Sequence, residues 1–218
     1  MIALEGTKGT GKTTLFNRLM AHAPSLPLPI TPYQPTAPAC QHLPIASFLK
    51  KHPQKAIQDC WQEKLYAERA RWHAAQLPRY TPCILADRSI ATSYATRWQK
   101  WGSPQYTIQR TDALHTAVPI PKLIIWLQAT PALCMARIAQ RPKRTYGLHD
   151  QTPQRIAQNY QAYLHMMQQP PPRLAHTTWI TLPAHLPLHQ LTTIALQAII
   201  AFQNLHQQNS ALLTPNLL

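Results

Sequence analysis

The chain has 218 residues, enough for one α/β domain with a sizeable core, since single domains commonly reach roughly 200 to 250 residues. Lys and Arg number 21 against 7 Asp and Glu, a formal charge of +14 that favours polyanionic ligands such as nucleotides, nucleic acid or acidic lipid. No apolar run reaches the roughly 18 to 20 residues that cross a bilayer, and Cys40, Cys60, Cys83 and Cys134 lie far apart with no C-x-x-C pair, which argues against a membrane span, a disulfide framework and a cysteine zinc site. A soluble cytoplasmic protein with reduced thiols is expected.

Taken in chain order, a short apolar run predicts a strand over 2–5, followed by a glycine-rich loop and an amphipathic helix over 12–21. Seven of the 22 prolines fall within 24–44, where they predict an extended, irregular segment around a strand at 26–31. A long helix is expected over 56–76, then a buried strand at 83–86 ending on Asp87-Arg88. Helices over 90–100 and 105–116, a strand at 123–127, helices over 131–139 and 153–167, a strand at 178–182 and a last helix over 187–207 complete the pattern. Strands alternating with helices predict an α/β fold of three layers, α/β/α, with a five-stranded parallel sheet and a ligand crevice at the carboxyl ends of the strands. One domain is expected over 1–208, with an arginine-rich lid at about 137–152 and a tail over 209–218.

Gly6-Thr7-Lys8-Gly9-Thr10-Gly11-Lys12-Thr13 fits G-x-x-x-x-G-K-[ST] between a strand and a helix, the setting in which that motif is specific. Three of the five glycines fall within these residues. A loop without side chains can turn successive N–H groups onto the same phosphates, while the following helix adds its positive end. The loop, continued by Thr14, is therefore expected to bind ATP, with Lys12 bridging the β- and γ-phosphates and Thr13 holding Mg²⁺.

The chain's acids are few enough to name: Glu5, Asp59, Glu63, Glu68, Asp87, Asp112 and Asp150. Asp87, just past a buried strand, is the candidate for the Mg²⁺-side or proton-accepting carboxylate, and Arg88 beside it for gripping the acceptor. Arg137, Arg141, Lys143 and Arg144 form a basic stretch. Arg137 and Arg141, four apart, would share a helix face and close over the triphosphate. Glu68 reads as a structural partner of Arg71 or Arg88. The tryptophans, among them Trp61, Trp72, Trp98 and Trp101, read as core or helix-packing residues.

Together these residues resemble the thymidylate kinase family of P-loop nucleoside and nucleotide kinases. The likeness runs in order from Ile2 to about Leu164, through the Glu5-Gly6 to Thr14 opening, the Tyr66-Ala67-Glu68-Arg69 helix, Asp87-Arg88 and the Arg137–Arg144 stretch. It implies transfer of the γ-phosphoryl group of ATP, with Mg²⁺, to a nucleoside monophosphate, by an enzyme that is often a homodimer. Glu5, Tyr66, Arg69, Arg88 and Arg97 would then face the acceptor. The chain departs from the family at Lys8, where an acid is usual, at Tyr33-Gln34-Pro35 in place of Arg-Glu-Pro, at Leu65 in place of an aromatic, and at Ser89. These departures keep open a nucleoside acceptor, with Glu5 or Asp87 as base, and a regulatory nucleotide-binding protein without transfer. A nucleic-acid-binding role would rest on charge alone, since no helix-turn-helix, zinc or RNP-like motif supports it.

Overall fold

The computed structural model describes residues 1–39, 42–80, 82–141 and 152–212, with side chains as far as Leu205. Five strands, β1 (Ile2–Glu5), β2 (Ile30–Tyr33), β3 (Cys83–Asp87), β4 (Leu123–Gln128) and β5 (Thr178–Pro183), form one parallel sheet in the order β2-β3-β1-β4-β5. Nine helices are described: α1 (Lys12–His22), α2 (Pro44–Lys51), α3 (Pro53–Ala56), α4 (Asp59–Ala75), α5 (Ile90–Arg97), α6 (Pro104–Leu114), α7 (Pro131–Ala139), α8 (Pro153–Gln168) and α9 (Leu188–Leu212).

The central strands are buried on both sides, so they read as continuous apolar runs, and their two-residue period splits the core into two layers. Ile2, Leu4, Leu85, Leu123 and Ile125 face α1, α7 and α9, packing on Leu15, Leu19, Cys134, Leu191 and Ile199. Ala3, Ala86, Ile124 and Trp126 face the other way, onto Ala70 of α4, Tyr94 and Ala95 of α5, and Ala162, Tyr163 and Met166 of α8. The expected α/β/α sandwich is thus present. Among the described residues no helix is long and apolar enough to cross a membrane.

Much of the high proline content sits at helix starts. Pro104, Pro131 and Pro153 occupy the first turns of α6, α7 and α8, each after a hydroxyl residue whose oxygen accepts from a backbone N–H: Ser103 from Tyr106, Thr130 from Leu133 and Thr152 from Arg155. Proline has no N–H to lose there and its fixed φ suits the helix, while the hydroxyl satisfies one orphan donor.

Four boundaries differ from the sequence reading. β2 lies over Ile30–Tyr33 rather than 26–31, because Pro27 and Pro29 lack the ladder N–H, while Pro32 is tolerated on an edge strand paired only to β3. The proline-rich segment ends in a helix, α2, started by Pro44. The single helix expected over 56–76 is broken at Ile57 and Gln58, which separate α3 from α4. α9 continues through Asn209 to Leu212, past the expected start of the tail; 213–218 lie outside the described residues.

β1 and β3 are neighbours, yet the helices that follow them, α1 and α5, pack on opposite faces of the sheet. That divergence opens a crevice at their carboxyl ends. Leu4 pairs with Asp87 in register, so Glu5-Gly6 and Arg88-Ser89 leave the sheet side by side.

Candidate functional site

Gly6, Gly9 and Gly11 have φ of 143°, 96° and 97°, in the region that side chains disfavour. Close approach adds a second reason at two of them. A Cβ on Gly6 would lie 2.6 Å from the carbonyl oxygen of Leu127, and one on Gly9 2.6 Å from that of Cys134. The loop is wedged between the end of β4 and α7, with Thr7 Oγ1 3.1 Å from Cys134 Sγ.

Lys12 is 4 % exposed and its ammonium donates to Gly6 O at 2.6 Å, Thr7 O at 2.7 Å and Thr10 Oγ1 at 3.3 Å. Burial first, and then the charge of Arg88, lower its pKa to about 7, against the opposing pull of Asp87 and Glu5. The charge is thus held by loop carbonyls inside a site that would bind it better with an anion present.

Thr13 Oγ1 donates to Asp87 Oδ2 at 2.9 Å, while Asp87 Oδ1 is buried without a hydrogen-bond partner. A hydroxyl, a carboxylate and an unused carboxylate oxygen form the donor set that suits Mg²⁺, which takes one or two carboxylates and completes its shell with phosphate and water. Among the described residues no group of three or more His, Cys, Asp or Glu is arranged to hold a metal unaided. Arg88 has φ of 85°, a left-handed conformation that is costly for an arginine and concentrates at functional sites. Its N–H donates to Leu4 O at 3.1 Å and its guanidinium reaches Thr92 Oγ1 at 3.4 Å.

Glu5 is fully buried and accepts four hydrogen bonds. Ser89 N and Oγ donate to Oε1 at 2.6 and 2.7 Å, and Thr92 Oγ1 and the Tyr163 hydroxyl donate to Oε2 at 2.6 and 2.7 Å. The residue expected to face the acceptor is therefore fully engaged by the protein and fixes the start of α5 against α8. Burial and this carboxylate raise the Tyr163 pKa well above its usual value, keeping the phenol a donor.

A cleft of about 210 Å³ opens beside the loop. Gly6, Thr7 and Lys8 form one wall, and Tyr66, Arg88 and Arg97 are among the residues facing it, together with Asp59, Lys100, Asn159 and Tyr163, which sequence reasoning missed. Asn159 and Tyr163 are four apart on α8 and buried, so two polar side chains on the inner face of a helix were their signal. Asp59 and Lys100 carry no such mark; their ion pair is made between elements distant in sequence.

Arg69 does not line the cleft. Its guanidinium lies 5.7 Å from the centre of the Tyr66 ring, a cation–π arrangement that braces Tyr66. Glu68 serves neither Arg71 nor Arg88: its carboxylate accepts from Ile45 N at 2.9 Å and Ala46 N at 3.2 Å, capping α2 from α4.

The basic stretch also departs from expectation. Arg137 donates to Thr10 O at 3.1 Å and to Ala184 O at 2.8 Å, tying the loop to the end of β5. α7 ends at Ala139, so Arg141 is beyond the helix and shares no helical face with Arg137. Thr14, on the exposed side of α1, makes no described contact with the cleft. Lys143, Arg144 and most of the expected lid, 142–151, lie outside the described residues.

No protein-family model matches the chain, and the search of the curated proteins returns no match.

Proposed function

We propose that the chain is an ATP-dependent phosphotransferase, a kinase resembling the thymidylate kinase family, that moves the γ-phosphoryl group to a nucleoside monophosphate. The observation that carries this reading is that Gly6, Thr7 and Lys8 of the phosphate-binding loop are also a wall of the cleft that holds Arg88, Arg97 and Tyr66. Donor and acceptor would meet across one backbone segment, which is what in-line transfer requires.

In this reading the loop N–H groups and Lys12 bind the donor phosphates, the ammonium turning from the Gly6 and Thr7 carbonyls to the incoming oxygens. The acceptor phosphate sits between Arg88 and Lys8, with Tyr66 beside the remainder of the nucleotide. An acceptor phosphate oxygen attacks the γ-phosphorus, the bond from that phosphorus to the β,γ-bridging oxygen breaks, and ADP leaves with the electron pair. Lys12 and Arg88 stabilise the charge that builds on the transferring oxygens. Thr13 and Asp87 would hold Mg²⁺, which when bound shares the negative charge of the β- and γ-phosphates. A homodimer and a cytoplasmic setting belong to the same proposal by resemblance.

One observation favours a nucleoside acceptor as second reading: Asp87 Oδ1 has no partner and a hydroxyl acceptor needs a base. Glu5, with its four donors in place, is less suited to that task. ADP release from Mg·ATP, measured over a panel of nucleosides and nucleoside monophosphates beside Lys12→Ala and Asp87→Ala, tests both. Stimulation by a monophosphate that both variants lose is expected; stimulation by nucleosides alone moves the acceptor to the second reading. If ATP binds through Lys12 and no acceptor stimulates release, the chain is a nucleotide-binding regulator instead.

A further inference from the structure

Adjoining the cleft is a small inner cavity of about 10 Å³, room for a group about the size of one water molecule. Thr36, Tyr66 and Ser93 line both spaces, so the cavity continues the cleft past the Tyr66 ring. Beyond these three its lining is largely apolar, with Pro35, Ile90, Val118 and Pro119. Tyr33 and Ser89 also line it, but their hydroxyls are committed within the protein, Tyr33 donating to Ala70 O at 3.1 Å and Ser89 to Glu5.

The remaining polar side chain is His115, directly after α6. It is 3 % exposed, and its Nε2 is buried with no hydrogen-bond partner in the protein. Its backbone is held from two sides: the N–H donates to Thr111 O at 2.9 Å and the carbonyl accepts from the Arg173 guanidinium at 2.9 Å. The main chain is thus pinned while a ring nitrogen goes unused. Burial first, and then the charges of Arg97, Arg173 and Arg71, lower the His115 pKa to about 4, so the imidazole is neutral near pH 7. In that form Nε2 donates as one tautomer and accepts as the other. An unpaired polar atom in an apolar space is costly, and a ligand atom brought to it recovers the cost. An apolar cavity with one convergent polar group is also how small-molecule sites obtain specificity.

We propose that His115 is a specificity-determining residue of the acceptor site, its Nε2 hydrogen-bonded to a small polar substituent that the acceptor's ring extends past Tyr66. The ligand class is a nucleobase ring with a carbonyl or amino group on its inward edge. The inference rests on the kinase reading for calling this ligand the acceptor, and adds how the site chooses one. Arg69, which the resemblance assigns to the acceptor, does not line the cleft, and His115 supplies a polar contact from a different part of the chain.

The test is calorimetric binding of nucleosides and nucleoside 5′-monophosphates carrying the common bases, with ribose 5-phosphate as the probe that lacks a base. Wild-type protein is compared with His115→Leu and His115→Gln. The tightest-binding nucleotide is expected to lose about tenfold or more in affinity in His115→Leu. Ribose 5-phosphate is expected to bind both equally, and His115→Gln, whose amide keeps a polar group there, to retain most nucleotide affinity. Because leucine replaces an unpaired polar group with an apolar one, the urea midpoint of His115→Leu is expected to be no lower than that of wild type. Equal nucleotide affinity in wild type and His115→Leu overturns the proposal. An equal loss for nucleotide and ribose 5-phosphate also overturns it, since that marks a structural role.

A second readout uses the wild-type protein alone as the binding partner. With ¹⁵N-labelled histidine, the Nε2 resonance of His115, assigned from its loss in His115→Gln, is expected to shift with saturating nucleotide and to stay in place with ribose 5-phosphate. No shift with any nucleoside or nucleotide overturns the proposal, whatever the variants do. If nucleotide binding depends on His115 while nothing is phosphorylated, the kinase reading falls and the ring contact stands. Phosphorylation indifferent to His115→Leu, in KM and in choice of base, leaves the kinase standing and removes His115 from its acceptor site.

Discussion

Thr13 and Asp87, 74 residues apart, share a hydrogen bond of 2.9 Å that joins the first turn of α1 to the end of β3. Asp87→Asn keeps the shape and removes the charge, and on the kinase reading it lowers kcat by on the order of 10²-fold or more. Thr13→Ala does the same to a smaller degree. Because the two serve one oxygen cluster, the double variant is expected to lose little beyond Asp87→Asn alone. Steady-state ADP release with and without EDTA checks this; independent, multiplying losses would show that the pair does not act as a unit.

Lys12 carries a pH signature. Its folded pKa, about 7, lies below the 10.5 of an exposed lysine, so between those values the unfolded chain binds the extra proton and stability contributed by this group rises with pH. Relative to Lys12→Met, wild-type protein is expected to gain up to about 1.4 kcal/mol per pH unit from pH 7 towards 10, read from urea midpoints. On the kinase reading, phosphate groups at the loop raise this pKa, so ATP binding at pH 8 to 9 is expected to take up a proton. Binding enthalpies in buffers of different ionisation enthalpy report that uptake, and a value of zero in wild type would contradict the assignment.

Replacing Glu5 by Ala leaves Ser89 N, two hydroxyls and a phenol without their acceptor in a buried space. A single hydrogen bond contributes about 1 kcal/mol, whereas several orphaned donors sum to on the order of 3 kcal/mol or more. Glu5→Gln is expected to be milder, since the hydroxyls can rotate to accept from its amide. Chemical denaturation of both variants separates these cases, and a loss under about 1 kcal/mol in Glu5→Ala would mean the network is dispensable.

Gly9 and Gly11 have nearly the same φ but different surroundings. An added Cβ meets the Cys134 carbonyl at Gly9 and nothing within 4 Å at Gly11. Gly11→Ala is expected to cost about 1 to 2 kcal/mol from backbone strain alone. Gly9→Ala adds a collision with backbone that cannot rotate away, so its melting temperature falls further and α7 shifts from the loop. Equal losses would place the whole effect in φ.

The parallel sheet and the glycine-rich loop were legible because each is written in contiguous residues, apolar runs and a glycine cluster, whereas the hydrogen bond between Thr13 and Asp87 joins residues 74 apart. α2 was hidden, since the proline density that argues against a helix is read without position, and Pro44 happens to stand where a helix starts. Its cap, Glu68, comes from another helix and leaves no local trace. The second half of the cleft was hidden for the same reason, because Asp59, Lys100 and Asn159 come together only when α4, the segment after α5 and α8 converge. The two carbonyl partners of Arg137, Thr10 O and Ala184 O, are likewise absent from the sequence pattern, where only a basic cluster shows.

Glu5 immediately precedes the glycine-rich loop, and its carboxylate grips Ser89 and Thr92 of the opposite wall. One side chain thus acts as a spacer gauge between the two halves of the site. Their separation is set when the protein folds, so on the kinase reading aligning donor and acceptor needs no sliding of one strand past the other. On that reading, variation that retunes the acceptor can accumulate on α4 and α8 while the offset between loop and cleft stays constant.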